Sequence, residues 1–484
     1  MQPNVLLIIL DSLRAKNTSL HNHINDTTPF LAELSEESTV YEQAKAPGVR
    51  SLPSHVSIFT GLHVEEHGVT SREYRLQSGH TIWDQLKNEF DYDTGVFSSN
   101  LYLTGLDLGL SDAFDTVIGN ADIPFPKAMN PQSFVRNQDS YTYLDFAKAC
   151  STHNRPIRSI VNGLLVKASQ HNRRLMRSIF NRHSSAHRYT NSFLEWVDSK
   201  SSPWAACVNF MDTHYPFVPS RRQLQWSTGD ILRLQDQISN PPVWAFYGNK
   251  RPWWQWTALE GLYDETIRYV DSQIEYLLQS LKKRGEYENT LIVITSDHGE
   301  GFGEQSHIRP GARIAGHGGH AGLHEAVIHV PLVVKYPHQR ESQRINQLAS
   351  LTNFPSVVTE VVQEQTTDFD GFVPDGPVVT STSGMYEQAK EDISRYDLDI
   401  ELYTKPMRAV YDQTGEKIRK FVTWSQESAT IEISGVVSHK LCSEGATTVN
   451  ETYDEILNQD VRSHIGEGEP DEQVKNRLKE LGYL

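Results

Sequence analysis

The run Val5-Leu6-Leu7-Ile8-Ile9-Leu10 is apolar at every position and stops at Asp11. A strand with one wet face alternates apolar and polar side chains. A run without alternation belongs to a strand buried on both faces, the condition of a parallel sheet covered by helices. The run is far too short to span a bilayer as a helix, which takes about 20 apolar residues. No basic residue precedes it and no small-residue cleavage site follows. It is therefore expected to be a first strand and not a secretory leader. Asp11 then stands at the carboxyl end of that strand, where open α/β sheets build their sites.

The rest of the chain continues in the same manner. Helical patterns are expected over Pro29–Glu37, Ser54–Thr60 and Thr81–Leu86, and strands over Tyr92–Phe97, Ala205–Phe210, Asn289–Thr295 and Val330–Lys335. Tyr263–Leu281 reads as an amphipathic helix with Ile267, Val270, Ile274, Leu277 and Leu278 on one face. Strands separated by helices predict an α/β fold with a mainly parallel central sheet flanked by helices. The 484 residues exceed the ~250–300 at which single cores stop growing. Past Gln388 the pattern changes. Arg408–Asp412 and Lys417–Trp424 flank Gln413-Thr414-Gly415 as a hairpin, Thr430–Val437 reads as a strand, and Glu472–Leu481 as a closing helix. The expected division is a large domain over 1–388 and a small α+β subdomain with an antiparallel sheet over 389–484.

The formal net charge of −16 argues against a nucleic-acid binder, which needs cationic surface to replace counterions. Cys150, Cys207 and Cys442 are odd in number and widely spaced, as expected for reduced thiols in a cytoplasmic protein. No transmembrane segment is expected. Between residues 146 and 193 there is no Asp or Glu, while Lys148, Arg155, Arg158, Lys167, Arg173, Arg174, Arg177, Arg182 and Arg188 accumulate. Ile157, Ile160, Val161, Leu164 and Leu165 lie at helical spacing there. This basic insertion is expected to be helical, with that stripe on the core; the other reading is a lid for anionic substrate or a membrane-surface contact.

The chemistry-bearing residues cluster in a few segments after expected strands. Ser51-Leu52-Pro53-Ser54-His55 follows Arg50, and Pro53 just inside a helix start would leave Ser51 at the positive end of the helix dipole. Asp212-Thr213-His214-Tyr215-Pro216 follows one strand, and Ser296-Asp297-His298-Gly299-Glu300 follows another. Adjacent Asp and His can present an oxygen and a nitrogen to one divalent ion. Gly319-His320-Ala321-Gly322-Leu323-His324-Glu325 is a further histidine-bearing loop.

In this order, with Thr60-Gly61, His67-Gly68 and His329-Val330-Pro331-Leu332, the sequence resembles the sulfatase family of the alkaline phosphatase superfamily. That family's relatives include phosphonate monoester hydrolases and phosphodiesterases. The resemblance covers nearly the whole chain. It implies Asp11, Asp297 and His298 as ligands of one divalent metal ion (Ca, Mg or Mn), with Ser51 completing the set as nucleophile or formylglycine position. It implies His214 near the leaving group, and His320 where the family usually has an anion-binding lysine. Asn100, His55 and Arg50 are the expected substrate-binding residues. His55 stands where the family has an arginine, and Asn100 replaces its lysine–x–histidine pair. The implied activity is hydrolysis of sulfate esters of small molecules or glycans. The alternative is a phosphodiesterase or phosphonate monoester hydrolase using unmodified Ser51. A phosphoglycerol-type transferase and a non-catalytic binding protein are the remaining readings. Loops within Pro124–Arg188 and the tryptophan-rich Arg221–Trp256 are expected to carry specificity.

Overall fold

The computed structural model describes residues 2–119, 128–129, 134, 143–169, 185–201, 203–219, 224–238, 243–309, 311–318, 322–363, 369–383 and 393–465. The fold is mixed α/β and alkaline-phosphatase-like. In chain order the strands are β1 (Asn4–Leu10), β2 (Thr39–Lys45), β3 (Tyr74–Leu76), β4 (Asp93–Ser98), β5 (Thr116–Ile118), β6 (Trp204–Phe210), β7 (Thr290–Thr295), β8 (Gly301–Gln305), β9 (Arg313–Gly316), β10 (Leu332–Lys335) and β11 (Gln343–Ser350). Eight of them form the central sheet in the order β11-β2-β10-β7-β1-β6-β4-β5. β1 lies in the middle, parallel to β6 on one side and to β7 on the other. β10 alone runs antiparallel to its neighbours β2 and β7.

Every residue of β1, β6 and β7 is buried, as the unalternated sequence requires. The pleat sends alternate side chains of β1 into two separate cores. Leu6, Ile8 and Leu10 pack with Ile267, Val270, Ile274 and Leu277 of the helix Glu260–Arg284. Val5, Leu7 and Ile9 pack with Leu52, Val56 and Phe59 and with Trp83.

The helix Glu260–Arg284 also orients the loops around the sheet. Its Asp271 carboxylate accepts the Phe30 and Leu31 amides at 2.9 and 3.0 Å, serving the first turn of α1 (Pro29–Leu34). Its Tyr263 hydroxyl donates to Ser12 O at 2.8 Å and accepts the Arg14 amide at 3.0 Å. The loop leaving β1 is thereby pinned next to Asp11.

A second sheet of five strands is an antiparallel meander: β12 (Val378–Thr382), β13 (Met407–Thr414), β14 (Lys417–Trp424), β15 (Glu427–Ser434) and β16 (Val437–Cys442). The expected hairpin is β13–β14. The expected strand Thr430–Val437 is in fact divided, because Gly435 turns the chain at φ +59° between β15 and β16. β12 joins this sheet from ahead of residue 388, and β17 (Arg462–His464) returns to pair with β3 in the larger body. The expected helix Glu472–Leu481 lies outside the described residues.

The insertion contains helices Tyr143–Thr152 and Pro156–Ser169, and part of the stripe expected on the core faces outward, with Val161 half-buried and the side chains of Leu164 and Leu165 outside the described residues. Ile157 and Ile160 are exposed, while Ser159 and Asn162 are buried. The tryptophans Trp244 and Trp256 are buried in the larger core, and Trp256 Nε1 donates to Gly301 O at 2.8 Å. Their use is packing. Among the described residues no helix is long and apolar enough to cross a membrane. Cys150 and Cys207 are buried free thiols and Cys442 is an exposed one.

Candidate active site

Parallel pairing of β1 with β7, in register from Asn4↔Thr290 to Ile9↔Thr295, brings their carboxyl ends side by side. Asp11 follows one and Asp297-His298 the other. One ligand atom from each of these three buried residues lies within 4.8 Å of the others. Ser296 locks the two ends together: its hydroxyl donates to Leu10 O at 2.5 Å and accepts the Leu13 amide at 2.8 Å. The Ser12 amide donates to Asp297 Oδ1 at 3.2 Å from a left-handed φ of +64°.

Ser51 reaches the same point from another direction. It is the first residue of α2 (Ser51–Thr60), three positions earlier than the periodicity indicates. Pro53 sits within the first turn, where a missing N–H costs nothing. Ser51 Oγ lies 3.4 Å from Asp11 Oδ2 and 3.4 Å from His298 Nε2. The start of the helix adds partial positive charge around that hydroxyl. His67 anchors the helix from outside. Its Nδ1 accepts the Val69 amide at 3.0 Å, so Nε2 carries the hydrogen that faces Ser57 Oγ of α2 at 3.1 Å.

The electrostatics of the three residues fit a cation. Burial first, and the charge of Asp297 second, push the Asp11 carboxyl well above the usual carboxylate range. For Asp297 burial acts in the same sense, but His298 and His55 hold it below its ordinary value. Asp297 Oδ2 is buried without a hydrogen-bond donor among the described residues. His298 directs Nδ1–H to Gly299 O at 3.0 Å, which leaves its Nε2 lone pair on the Ser51 side. Two crowded carboxylates, an oriented imidazole lone pair and an unserved carboxylate oxygen make an oxygen-rich donor set suited to a hard divalent ion.

Asn100 is drawn into this group. Its Nδ2 donates to Asp11 Oδ2 at 3.0 Å, while its Oδ1 accepts the Tyr102 amide at 3.0 Å. It orients the Asp11 carboxylate. His55, one turn along α2, donates Nδ1–H to Ser51 O at 2.7 Å and lies 3.7 Å from Asp297 Oδ2. It therefore braces the turn that carries Ser51. Arg50 is buried, donates to Ser383 Oγ at 2.7 Å, and its charge helps lower the basicity of His317.

Two further histidines complete the wall. His214 follows β6, and its Nδ1–H donates to Tyr215 O at 2.6 Å. Burial, then His317, lower its pKa to about 3. The neutral ring therefore turns a lone pair at Nε2 away from Tyr215. His317, which the sequence reading passed over, stacks on His298 at 4.4 Å between centroids and meets His214 edge-on at 4.8 Å. Its Nδ1 lies 2.7 Å from Glu300 Oε2. Burial raises Glu300 to about 7 and lowers His317 to about 4. When the pair holds its shared proton on the carboxyl, Nδ1 accepts it and Nε2–H becomes a donor. The available signal was a second histidine three residues before His320 in the same glycine-rich loop. His320 itself lies outside the described residues.

A parallel sheet carrying an Asp, Asp-His and helix-start Ser at its carboxyl edge defines the alkaline phosphatase superfamily's hydrolase class. The sulfatase family model matches residues 3–363, and the chain belongs to the sulfatase family. Among curated relatives, an N-acetylglucosamine-6-O-sulfatase of Bacteroides thetaiotaomicron is 21% identical over 373 residues, which is 69% of this chain and 63% of the relative. An ulvan-active sulfatase of Formosa agariphila is 28% identical over 148 residues, 30% of this chain and 25% of the relative. The matches thus span less than two thirds of these relatives' length. In structure, the chain resembles the phosphonate monoester hydrolase of Agrobacterium radiobacter, with a TM-score of 0.60, 16% identity and 94% of both chains covered. It also resembles a protein whose structure was solved in complex with its substrate D-glucosamine-2-N,6-O-disulfate, with a TM-score of 0.55, 13% identity and coverage of 89% and 91%. At such identities the likeness establishes the fold.

Proposed function

We propose that this chain hydrolyses sulfate monoesters through Ser51 on a metal-bound site. The single observation behind this reading is the meeting of Ser51 Oγ with Asp11 and His298 at 3.4 Å, beside the unserved Asp297 Oδ2. A divalent cation (Ca, Mg or Mn) held by Asp11, Asp297 and His298 would acidify the Ser51 hydroxyl and neutralise charge on the ester. The chain's own residues do the rest. Ser51 Oγ attacks the sulfur, the bond to the leaving oxygen breaks, and the sulfuryl group passes to Ser51 until water releases it. His317 supplies a donor to the ester oxygens when Glu300 carries the shared proton. His214 presents an acceptor at Nε2 and becomes a donor to the leaving oxygen only once protonated.

Charge narrows the substrate class. Two ligand carboxylates would cancel a divalent cation, and His55 stands at the motif position where the family has an arginine. The surroundings thus suit an ester with one negative charge. A phosphodiester or phosphonate monoester shares that charge, and this second reading is favoured by a Ser51 whose neighbour at the motif's arginine position is His55. A paired assay with aryl sulfate and aryl phosphodiester substrates distinguishes them, combined with the peptide mass of Ser51. Loss of two hydrogens at Ser51 with aryl sulfate turnover supports a formylglycine sulfatase; unmodified serine with phosphodiester turnover supports the second reading. Ser51→Ala is expected to lose several orders of magnitude in turnover, and Asp297→Ala to lose metal and turnover together. Full activity in either variant would sink the assignment.

A further inference from the structure

The first turns of the helix Pro156–Ser169 place Ser159 and Asn162 against the protein and Ile157 and Ile160 toward solvent. Ser159 Oγ donates to Arg155 O at 2.9 Å and accepts the Met129 amide at 3.0 Å; Asn162 Nδ2 donates to Met129 O at 3.2 Å. Both side chains are fully buried. Gly163 faces the same way: a Cβ there would stand 2.4 Å from the Phe146 ring, so the helix is pressed close against its neighbour Tyr143–Thr152. At ~100° per residue, Ile157 falls roughly opposite that inner side, with Ile160 beside it. Ile157 is 76% exposed and Ile160 42% exposed. Arg155 and Arg158 are exposed next to them.

A helix packs its apolar stripe inward when the core is the only apolar medium available. Here the inward contacts are already satisfied by hydrogen bonds to Met129, so the outward isoleucines are free for another medium. Charge indicates which one. Nine Lys and Arg and no Asp or Glu occur between residues 146 and 193, in a chain whose formal net charge is −16. A face both aliphatic and cationic complements an anionic lipid surface, which accepts isoleucine into its acyl boundary and arginine among its head groups. A second copy of the chain would bring like charges together. A soluble polyanion would engage the arginines and leave the isoleucines in water.

We infer that the exposed face of Pro156–Ser169, carried by Arg155, Ile157, Arg158 and Ile160, docks this enzyme on anionic membrane surface. The test is co-sedimentation of the full chain with phosphatidylcholine vesicles and with equimolar phosphatidylcholine–phosphatidylglycerol vesicles. Binding is expected to the anionic vesicles and to weaken with salt. Ile157→Glu combined with Ile160→Glu should reduce it about tenfold or more, and Arg155→Gln combined with Arg158→Gln should reduce it most at low salt. Circular dichroism and turnover of a soluble aryl ester without vesicles should be unchanged in both, since all four residues are on the surface. The inference is overturned if the wild type ignores anionic vesicles, or if its binding survives the isoleucine double substitution. It is equally overturned if heparin is retained and vesicles are not, or if the double substitution dissolves a dimer seen by size exclusion.

Discussion

Replacing Glu325 with glutamine should loosen the joint between the two sheets, and the structure indicates by how much. The buried carboxylate accepts Lys45 Nζ of β2 at 2.9 Å, Lys420 Nζ of β14 at 2.8 Å and the Tyr411 hydroxyl of β13 at 2.8 Å. Both ammoniums also lie over the Tyr411 ring, 5.4 and 5.1 Å from its centre. Two buried cations thus share one anion. Glu325→Gln preserves the shape and leaves both ammoniums facing each other without it. Removing one partner of a buried pair costs ~3–5 kcal/mol. Two pairs are lost here, and because they share Glu325 the costs do not simply add; the loss should be at least that large. Lys420→Met, by contrast, leaves a balanced Lys45–Glu325 pair and should cost no more than ~1–2 kcal/mol. Urea unfolding followed by tryptophan fluorescence and far-UV circular dichroism reads the difference as midpoint shifts. pH supplies an independent check. Burial alone would raise the Glu325 pKa, but Lys420 and Lys45 outweigh it and hold it well below the usual range. Its contribution is therefore complete above the unfolded value of about 4.3 and is lost as pH falls through the lower folded value. The gap between wild type and Glu325→Gln should accordingly shrink in acid. Equal losses in the two variants, or a gap that widens in acid, would refute the reasoning.

Three other outcomes follow from the site and its frame. Asn100→Ala removes the hydrogen bond that orients Asp11 and should weaken divalent-ion affinity ~10–100-fold by calorimetry; unchanged affinity would make Asn100 irrelevant to the ligand set. Glu300→Leu removes the carboxyl that shares a proton with His317 Nδ1 and should lower kcat on the order of tenfold or more with little change in KM, whereas a pure KM effect would move His317 into substrate binding alone. Gly109 adopts φ +83° and a Cβ there would stand 2.0 Å from Leu76 O; Gly109→Ala should cost at least ~1–3 kcal/mol in thermal unfolding, and a neutral substitution would mean the backbone yields freely.

Legibility in the sequence followed burial. β1, β6 and β7 were readable because strands covered on both faces lose their alternation, and Asp11 and Asp297-His298 stood out because they follow those strands in the order of the family's motifs. β2 and β11 were not anticipated: β2 carries Gln43 and Lys45, whose burial makes sense only beside Glu325, and β11 is a polar sheet edge. Ser51, Asp11, Asp297, His298 and His214 could be named, but His317 could not. Its place depends on the β8–β9 hairpin carrying the chain back over His298, a tertiary event with no local pattern. Periodicity likewise placed Ile157 and Ile160 on one stripe of Pro156–Ser169 and did not reveal that these two face outward. That choice was made by Ser159, Asn162 and Gly163 against Met129 and Phe146.

The central position of β1 also sets a timetable. It leaves the ribosome well ahead of its partners: Trp204 of β6 lies 200 positions beyond Asn4, whose side chain it meets, and Asp297 meets Ser12 285 positions on. Until then a fully apolar strand has no sheet to enter, and topologies of such long range nucleate slowly. The nascent chain therefore carries an aggregation-prone segment through most of its synthesis and needs shielding for that interval. The meeting of Asp11 with Asp297 and His298 is correspondingly a late event, absent from any product that terminates before β7.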